Sequence, residues 1–329
     1  MDSAPGQRPK AGGGQSVPCL HNADHEDIVE LLDSGQFFWL DLEDPGDEKL
    51  RKLGERLGLH ALTVDDAQTF NERPKIEEYD NYVYLVVYGV DPSTTSGGPL
   101  LREVHLIVSG DYVISIHHGP LSALAELRGR VGAHALRGEQ YLIYKVLDAV
   151  VSTFFPVLTR TDDDIDEIEE TVISEPNEEI LHRIFALKRD LVAMRRVVTP
   201  MRDVFARDAD RITELPGLEA DERLYFRDVY DSLIRVSDMV DSYRDLLSGA
   251  TDMYLSTVAN RQGEVNKQLT VIATIFLPLT FITGFFGQNF SFLTGHILNT
   301  TWSFIVFGLG LLLLSTIGFL IFFRRKRWM

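Results

Sequence analysis

The chain has 329 residues, room for about two domains, and its 32 Lys and Arg against 49 Asp and Glu leave a net charge of −17, which argues against nucleic acid as a partner. The charge is unevenly placed: no acidic residue follows Glu264, and from Leu269 onward the only charged side chains are Arg324, Arg325, Lys326 and Arg327. The last 61 residues therefore carry +4 and the first 268 carry −21, from 28 basic and 49 acidic side chains.

Residues 1–20 read as a disordered tail, since Met1 to Pro18 holds four Gly, three Pro and no apolar stretch of the secretory kind. Cys19 is the single cysteine, so neither an internal disulfide nor a zinc-type spacing is available. Residues 21–133 read as a mixed α/β domain. Strands are expected at Phe37–Leu42, Tyr82–Gly89, Glu103–Ser109 and Tyr112–His118. Helices are expected near Glu48–Leu57 and Leu62–Phe70, Asp91 to Pro99 as a loop between adjacent strands, and Gly110-Asp111 as a hairpin turn. Residues 134–268 read as a helical region and stalk, with helices over Gly138–Ser174 and Asn177–Asp210 and a third starting near Glu219, bounded by Pro176 and Leu215-Pro216-Gly217. Unbroken from Asp221 to Phe286, the third helix would be about 100 Å long. The acidic run from Asp162 to Glu170, with Ile165 and Ile168 at helical spacing, reads as a solvated face rather than a metal site.

Leu269–Phe286 and Trp302–Phe323 are uncharged runs of 18 and 22 residues. At 1.5 Å per residue they reach about 27 and 33 Å, enough for a hydrocarbon core of about 30 Å. Two transmembrane helices are therefore expected, 269–289 with its closing residues and 302–323, joined by a loop over 290–301. The loop from Gly287 to Thr301 has no Lys or Arg, whereas Arg324–Arg327 follows the second run directly. Both termini are accordingly expected in the cytoplasm, with the basic tail 324–329 also an anchor for anionic lipid. Along the first run, Gly263, Asn266, Thr270, Ala273, Leu277, Thr280 and Gly284 recur in steps of three and four, a helix–helix seam. Two readings stay open: packing against the second span of the same chain, or a pore lined by this helix from several subunits, because two spans enclose a pathway only by oligomerising.

The stretch from Thr270 through Gly287-Gln288-Asn289-Phe290 resembles the first membrane span and signature of the CorA family of divalent-cation transporters. Arg227-Asp-Val-Tyr-Asp, Arg73-Pro-Lys-Ile-Glu-Glu-Tyr and the terminal Arg-Arg-Lys-Arg-Trp extend the similarity over nearly the whole chain after the tail. The resemblance implies an α+β cytosolic domain, a long stalk helix and two transmembrane helices in a funnel-shaped homopentamer of the plasma membrane. It also implies influx of Mg²⁺, with Co²⁺ or Ni²⁺ as further passengers, gated by cytosolic metal. It places Asn289 in a ring at the outer mouth, Gly287 in the close-packed turn, Thr280 and Gly284 on the pore, Leu277 at an apolar constriction, and Ala273, Thr270 and Asn266 along the same lining. A ring of neutral amide oxygens suits an ion that keeps its water shell, since the waters donate to the ring without the ion being trapped. The gating carboxylates carry over to Asp66 with Asp65, to Asp228 and to Asp148, and Asp252 is expected to form an acidic ring below the pore. Facing carboxylates repel unless a divalent ion intervenes.

Two departures keep an alternative open. Gln288 stands where the family's triplet has Met, and the family's acidic Met-Pro-Glu-Leu loop is replaced by Leu293-Thr-Gly-His296. A Zn²⁺-type relative, with His296 as a softer ligand, and a non-conducting membrane-anchored metal sensor are the other readings. An enzyme is not expected: no Walker A, Gly-x-Gly-x-x-Gly, His-Glu-x-x-His or nucleophile constellation is present.

Overall fold

A computed structural model describes residues 17–91, 100–131, 139–213, 223–288, 291–292, 295–296 and 300–328. Its elements in order are β1 (Cys19–His21), α1 (His25–Ser34), β2 (Phe38–Glu43), α2 (Asp47–Leu57), α3 (Ala61–Thr69), β3 (Lys75–Glu78), β4 (Val83–Asp91), β5 (Leu100–Val108), β6 (Tyr112–His117) and α4 (Ser122–Val131). Then follow α5 (Glu139–Ser152), α6 (Phe154–Ser174), α7 (Glu178–Asp208), α8 (Asp210–Thr213), α9 (Arg223–Phe286), α10 (Thr301–Ser303), a π-helical stretch Phe304–Gly310 and α11 (Leu311–Arg325). The described chain divides into two compact units, one reaching Thr171 and resuming over Asn177–Thr251, the other made of Val172–Pro176 and the chain from Asp252 onward.

The first unit is built on a six-stranded sheet of order β1-β2-β6-β5-β4-β3, parallel across β1, β2 and β6 and antiparallel elsewhere. Period-two alternation sends Phe38, Leu40 and Leu42 to one face, where they meet Ile28, Leu50, Leu53 and Ala67 of α1–α3. Trp39, Val83, Leu85 and Val104 go to the other face, against Leu142, Val146 and Val150 of α5 and Phe226, Val229 and Leu233 of α9. A sheet covered on both faces explains why its strands read as nearly continuous apolar runs.

Two expectations are corrected by this packing. Cys19 and Leu20 fall in the span expected as a disordered tail, yet they pair in parallel with Trp39 and Leu40, and the Trp39 N–H donates to the Pro18 carbonyl at 2.9 Å. The expected boundary between residues 133 and 134 lies outside the described residues, and α5 beyond it shares a core with the sheet. The single helix expected over Gly138–Ser174 is two, parted at Thr153. Pro156 has no N–H to give the Ser152 carbonyl, while the Thr153 hydroxyl donates to the Val150 carbonyl (2.6 Å) and accepts from the Val90 N–H (2.8 Å). Gly89 permits that approach, since a Cβ there would lie 3.1 Å from Thr153 Oγ1 and 3.3 Å from the Val150 carbonyl oxygen. Residues 92–99 of the expected loop lie outside the described residues, and Asp91 belongs to the strand, opposite Leu100.

The sheet also buries a carboxylate. Asp41 on β2 is fully buried and accepts from Ser115 Oγ and Arg128 Nη1, with His117 Nε2 at 3.3 Å and His21 Nδ1 at 3.6 Å. The Trp39 indole donates to Ser115 Oγ at 3.0 Å. His117 Nδ1 lies 2.8 Å from the Gly119 carbonyl, which only accepts, so Nδ1 carries a proton; Nε2 lies 3.3 Å from Asp41 Oδ1 without an aligned hydrogen bond, so the two pair by charge when Nε2 is protonated as well. Burial pushes the Asp41 carboxyl up, but His117, Ser115 and Arg128 together hold it below its usual range. Burial pulls His117 down, and the Asp41 carboxylate and Gly119 carbonyl outweigh it, raising the ring above 6.5. Because the folded value lies above the unfolded one, the His117 contribution is full below about 6.5 and is lost as pH rises through the raised value. Urea unfolding of wild type in detergent should show stability falling as pH rises through that range, and His117→Gln should remove that part of the slope; an unchanged slope refutes the charged His117–Asp41 pair.

Candidate ion pathway and acidic sites

In the second unit, α9 from Leu269 to Phe286 carries no charge, and neither does the chain from Trp302 to Phe323. Among the described residues, three helical stretches are long and apolar enough to cross a membrane: Gln140–Ser174, Leu224–Phe286 and Thr301–Arg325. Half of the apolar window in the first is buried inside the protein, against 6% and 0% in the others. Gln140–Ser174 thus belongs to the core, and the other two present their apolar surface outward, as lipid requires.

At 100° per residue, Asn266, Thr270, Ala273, Leu277, Thr280 and Gly284 fall on one stripe of α9. Every one is exposed, Leu277 at 74%, and a Cβ added at Gly284 or Gly263 would touch nothing within 4 Å. The chain's own second span lies on the opposite side, where Leu279 and Thr283 face Leu309, Leu312, Leu313, Thr316 and Ile317 and Phe286 stacks on Phe307 at 6.3 Å. In this structure the stripe does not pack against the chain's own second span. The Thr270 hydroxyl donates to the Asn266 carbonyl (2.8 Å) and that of Thr280 to the Phe276 carbonyl (2.9 Å). The helix closes at Gly287, whose N–H donates to the Thr283 carbonyl at 2.9 Å; a Cβ there would stand 2.9 Å from that same oxygen. Gln288 is exposed. Asn289 lies outside the described residues. His296 is exposed, its ring stacked on Phe292 at 5.1 Å.

The acidic candidates separate into groups. Asp66, on α3, is mostly covered, and its Oδ2 accepts from Lys75 Nζ at 2.6 Å; Glu72 and Glu77 approach the same ammonium at 3.2 and 3.6 Å. Burial works against the Lys75 charge, but the hydrogen bonds to Asp66 and Glu72 and the charge of Glu77 hold it above the ordinary lysine range. Asp65, next to Asp66, is exposed. Asp228 on α9 and Asp148 on α5 meet around Tyr144. The Tyr144 hydroxyl donates to Asp228 Oδ2 at 2.9 Å, and its phenol is pushed up first by burial, then by the bond to Asp228 and the charges of Asp148 and Asp228. Lys145 Nζ holds Asp148 at 3.1 Å and lies 4.5 Å above the Tyr144 ring. Tyr225 stacks on Tyr144 at 4.9 Å, fixing its direction. Asp252 is exposed, in the second unit. In the run Asp162–Glu170, Ile165 and Ile168 are buried while Arg183 holds Asp164 and Glu167 at 2.6 and 2.5 Å, so that run is a solvated, arginine-tied face.

Among the described residues no three His, Cys, Asp or Glu side chains converge as metal ligands need. The donors are nevertheless of the right kind for Mg²⁺, hard carboxylate oxygens. Lys75 and Tyr144 are the partners of Asp66 and Asp228 that reading the sequence missed. Lys75 was visible inside Arg73-Pro-Lys, but its approach to Asp66 depends on how β3 docks beside α3.

The family description "CorA-like Mg2+ transporter protein" matches residues 34–325. The cobalt/magnesium transport protein CorA of Thermotoga maritima is 33% identical over 314 residues, covering 93% of this chain and 87% of that protein. A putative metal ion transporter of Bacillus subtilis is 30% identical, covering 89% and 90%. The solved CorA magnesium transporter of Methanocaldococcus jannaschii shares the fold with a TM-score of 0.76 at 24% identity, over 88% of this chain and 91% of that one.

Proposed function

Because this chain belongs to the family of CorA-like Mg²⁺ transporter proteins, we propose that it is a membrane transporter carrying Mg²⁺ inward through a pore made by several copies of α9. The observation that carries this reading is the uncharged stripe from Asn266 to Gly284, exposed along the protomer and turned away from its own second span. Small and hydroxyl side chains on such a face admit close approach of neighbouring helices and a hydrated ion between them. Five copies, with both termini on the cytoplasmic side of the plasma membrane, are the arrangement we infer. Gly287-Gln288-Asn289 stands in it for the family's Gly-Met-Asn, and Co²⁺ is a second cargo named for relatives. The membrane potential supplies about 2.3 kcal/mol per unit charge per 100 mV, and twice that for a divalent ion.

The regulatory carboxylates are Asp66, Asp228 and Asp148, which would hold Mg²⁺ between neighbouring subunits. The bound ion would supply the countercharge that lets facing carboxylates approach. Asp228 is already oriented by Tyr144, and Asp148 by Lys145 and Ser152.

Reconstituted in vesicles with an inside-negative potential, the protein is expected to admit Mg²⁺ at a rate that grows with the potential, read by an enclosed Mg²⁺ dye. No flux at any potential sinks the transport reading. Added Mg²⁺ is expected to protect α9 from protease in wild type and not in Asp66→Ala with Asp228→Ala; protection that persists refutes the carboxylate assignment.

A further inference from the structure

Asp66 is not a free carboxylate waiting for a metal. Lys75 Nζ sits among Asp66, Glu72 and Glu77 at 2.6, 3.2 and 3.6 Å, so its three hydrogens face three carboxylates. The arrangement is held from several sides. The Tyr88 hydroxyl lies 2.5 Å from the Glu72 carbonyl oxygen and 2.9 Å from Glu103 Oε2, its one hydrogen shared between them, and the Glu72 N–H donates to Glu103 Oε1 (3.0 Å). The Lys75 ammonium lies 5.4 Å from the centre of the Tyr84 ring, which is buried. Lys75 and Asp66 are 23% and 16% exposed, so water screens this pair less than a surface pair.

We propose that Lys75 is a tethered competitor for the regulatory divalent cation: its ammonium occupies the Asp66 lone pairs that the ion needs, and so sets the metal concentration at which the protein responds. This rests on the reading of Asp66 as a regulatory ligand. An ammonium and Mg²⁺ are both hard cations seeking the same oxygens, and one must leave before the other binds. The lysine is supplied by the chain itself, so its competition does not dilute away. Binding of Mg²⁺ at Asp66 therefore includes the loss of a charge-assisted hydrogen bond. At Asp148 the equivalent pairing is weaker, a 3.1 Å contact to one carboxylate three residues along the same helix, so Lys75 is the stronger competitor.

The test is a Mg²⁺ titration of full-length protein in detergent, reading the concentration that gives half-maximal protease protection. Lys75→Gln removes the charge and is expected to lower that concentration on the order of tenfold, the scale of one half-buried charge-assisted contact. Lys75→Arg keeps the charge and should not lower it. An unchanged or higher concentration in Lys75→Gln overturns the proposal. A second readout uses only wild type: acetylation of the Lys75 amine by acetic anhydride, followed by mass spectrometry, should rise as Mg²⁺ is added and displaces the ammonium from Asp66. No rise overturns the proposal even if the variant fails to fold. Asp66→Ala separates the two layers of argument. If its half-protecting concentration equals that of wild type, the regulatory reading of Asp66 itself fails; if it rises while Lys75→Gln shows no shift, the competitor role alone fails.

Discussion

Arg128→Ala is expected to lower the stability of the sheet-containing unit by about 3 kcal/mol, the cost of taking one partner from a buried ion pair and leaving His117 as the remaining countercharge of Asp41. Asp41 is fully buried on β2, and α4 delivers the Arg128 guanidinium to its Oδ2 across the parallel β1 edge. The neighbouring donors cannot take over. Ser115 already donates to Oδ1, and His117 is held on its other side by the Gly119 carbonyl. Asp41 would then ionise at a penalty or bind a proton, and either outcome favours the unfolded chain. The Trp39 indole, bonded to Ser115 Oγ beside the cluster, is a built-in fluorescent reporter for denaturant unfolding in detergent. Asp41→Asn with Arg128→Met, which removes both charges, should recover much of the loss. A single-variant change below about 1 kcal/mol would show that water, rather than Arg128, balances Asp41.

Asn289→Ala is expected to reduce Mg²⁺ influx in vesicles by tenfold or more without altering protease protection by Mg²⁺. Mg²⁺ surrenders its waters reluctantly, so the mouth of its pathway must recognise the hydrated ion. An amide oxygen accepts a hydrogen bond from a bound water at about 1 kcal/mol net, and in a closed ring each subunit loses one such contact together. Asn289→Asp should bind the ion more tightly and release it more slowly, lowering the maximal rate while raising apparent affinity. Two residues before Asn289, the Gly287 N–H ends the helix on the Thr283 carbonyl, and the closeness of that oxygen leaves no room for a side chain. Equal influx in wild type and Asn289→Ala would remove the amide ring from the mechanism.

What the sequence revealed and what it hid divide along physical lines. Strands β4 to β6 were legible because each is six to nine residues of β-branched and apolar side chains ending in polar turns. The length of α9 was legible because no proline interrupts it before Pro278. β1 was hidden: three residues are too few for a period, and only the ladder to Trp39 makes them a strand. The exposed seam was legible as a repeat of small residues, but which side it faced was not, since the same repeat fits either neighbour until Leu279 and Thr283 are seen against the second span. The acidic candidates came from resemblance, residue by residue. Their partners Lys75 and Tyr144 are 9 and 84 residues from Asp66 and Asp228; Lys75 reaches Asp66 from a neighbouring strand and Tyr144 reaches Asp228 from another helix, proximities that belong to topology rather than to pattern.

The threonines of the α9 stripe have a consequence of another kind. Thr270 and Thr280 each direct their hydroxyl hydrogen back to the carbonyl one turn earlier, so the part of each oxygen that faces outward is lone pair. Water bound to a cation turns both hydrogens away from the ion, whereas water around an anion spends one hydrogen on it. Outward lone pairs therefore accept more hydrogen bonds from the first shell than from the second. If the stripe lines the pathway we propose, the helix's own backbone would thereby give an uncharged surface a sign that favours a hydrated cation, without a single ionised side chain along it.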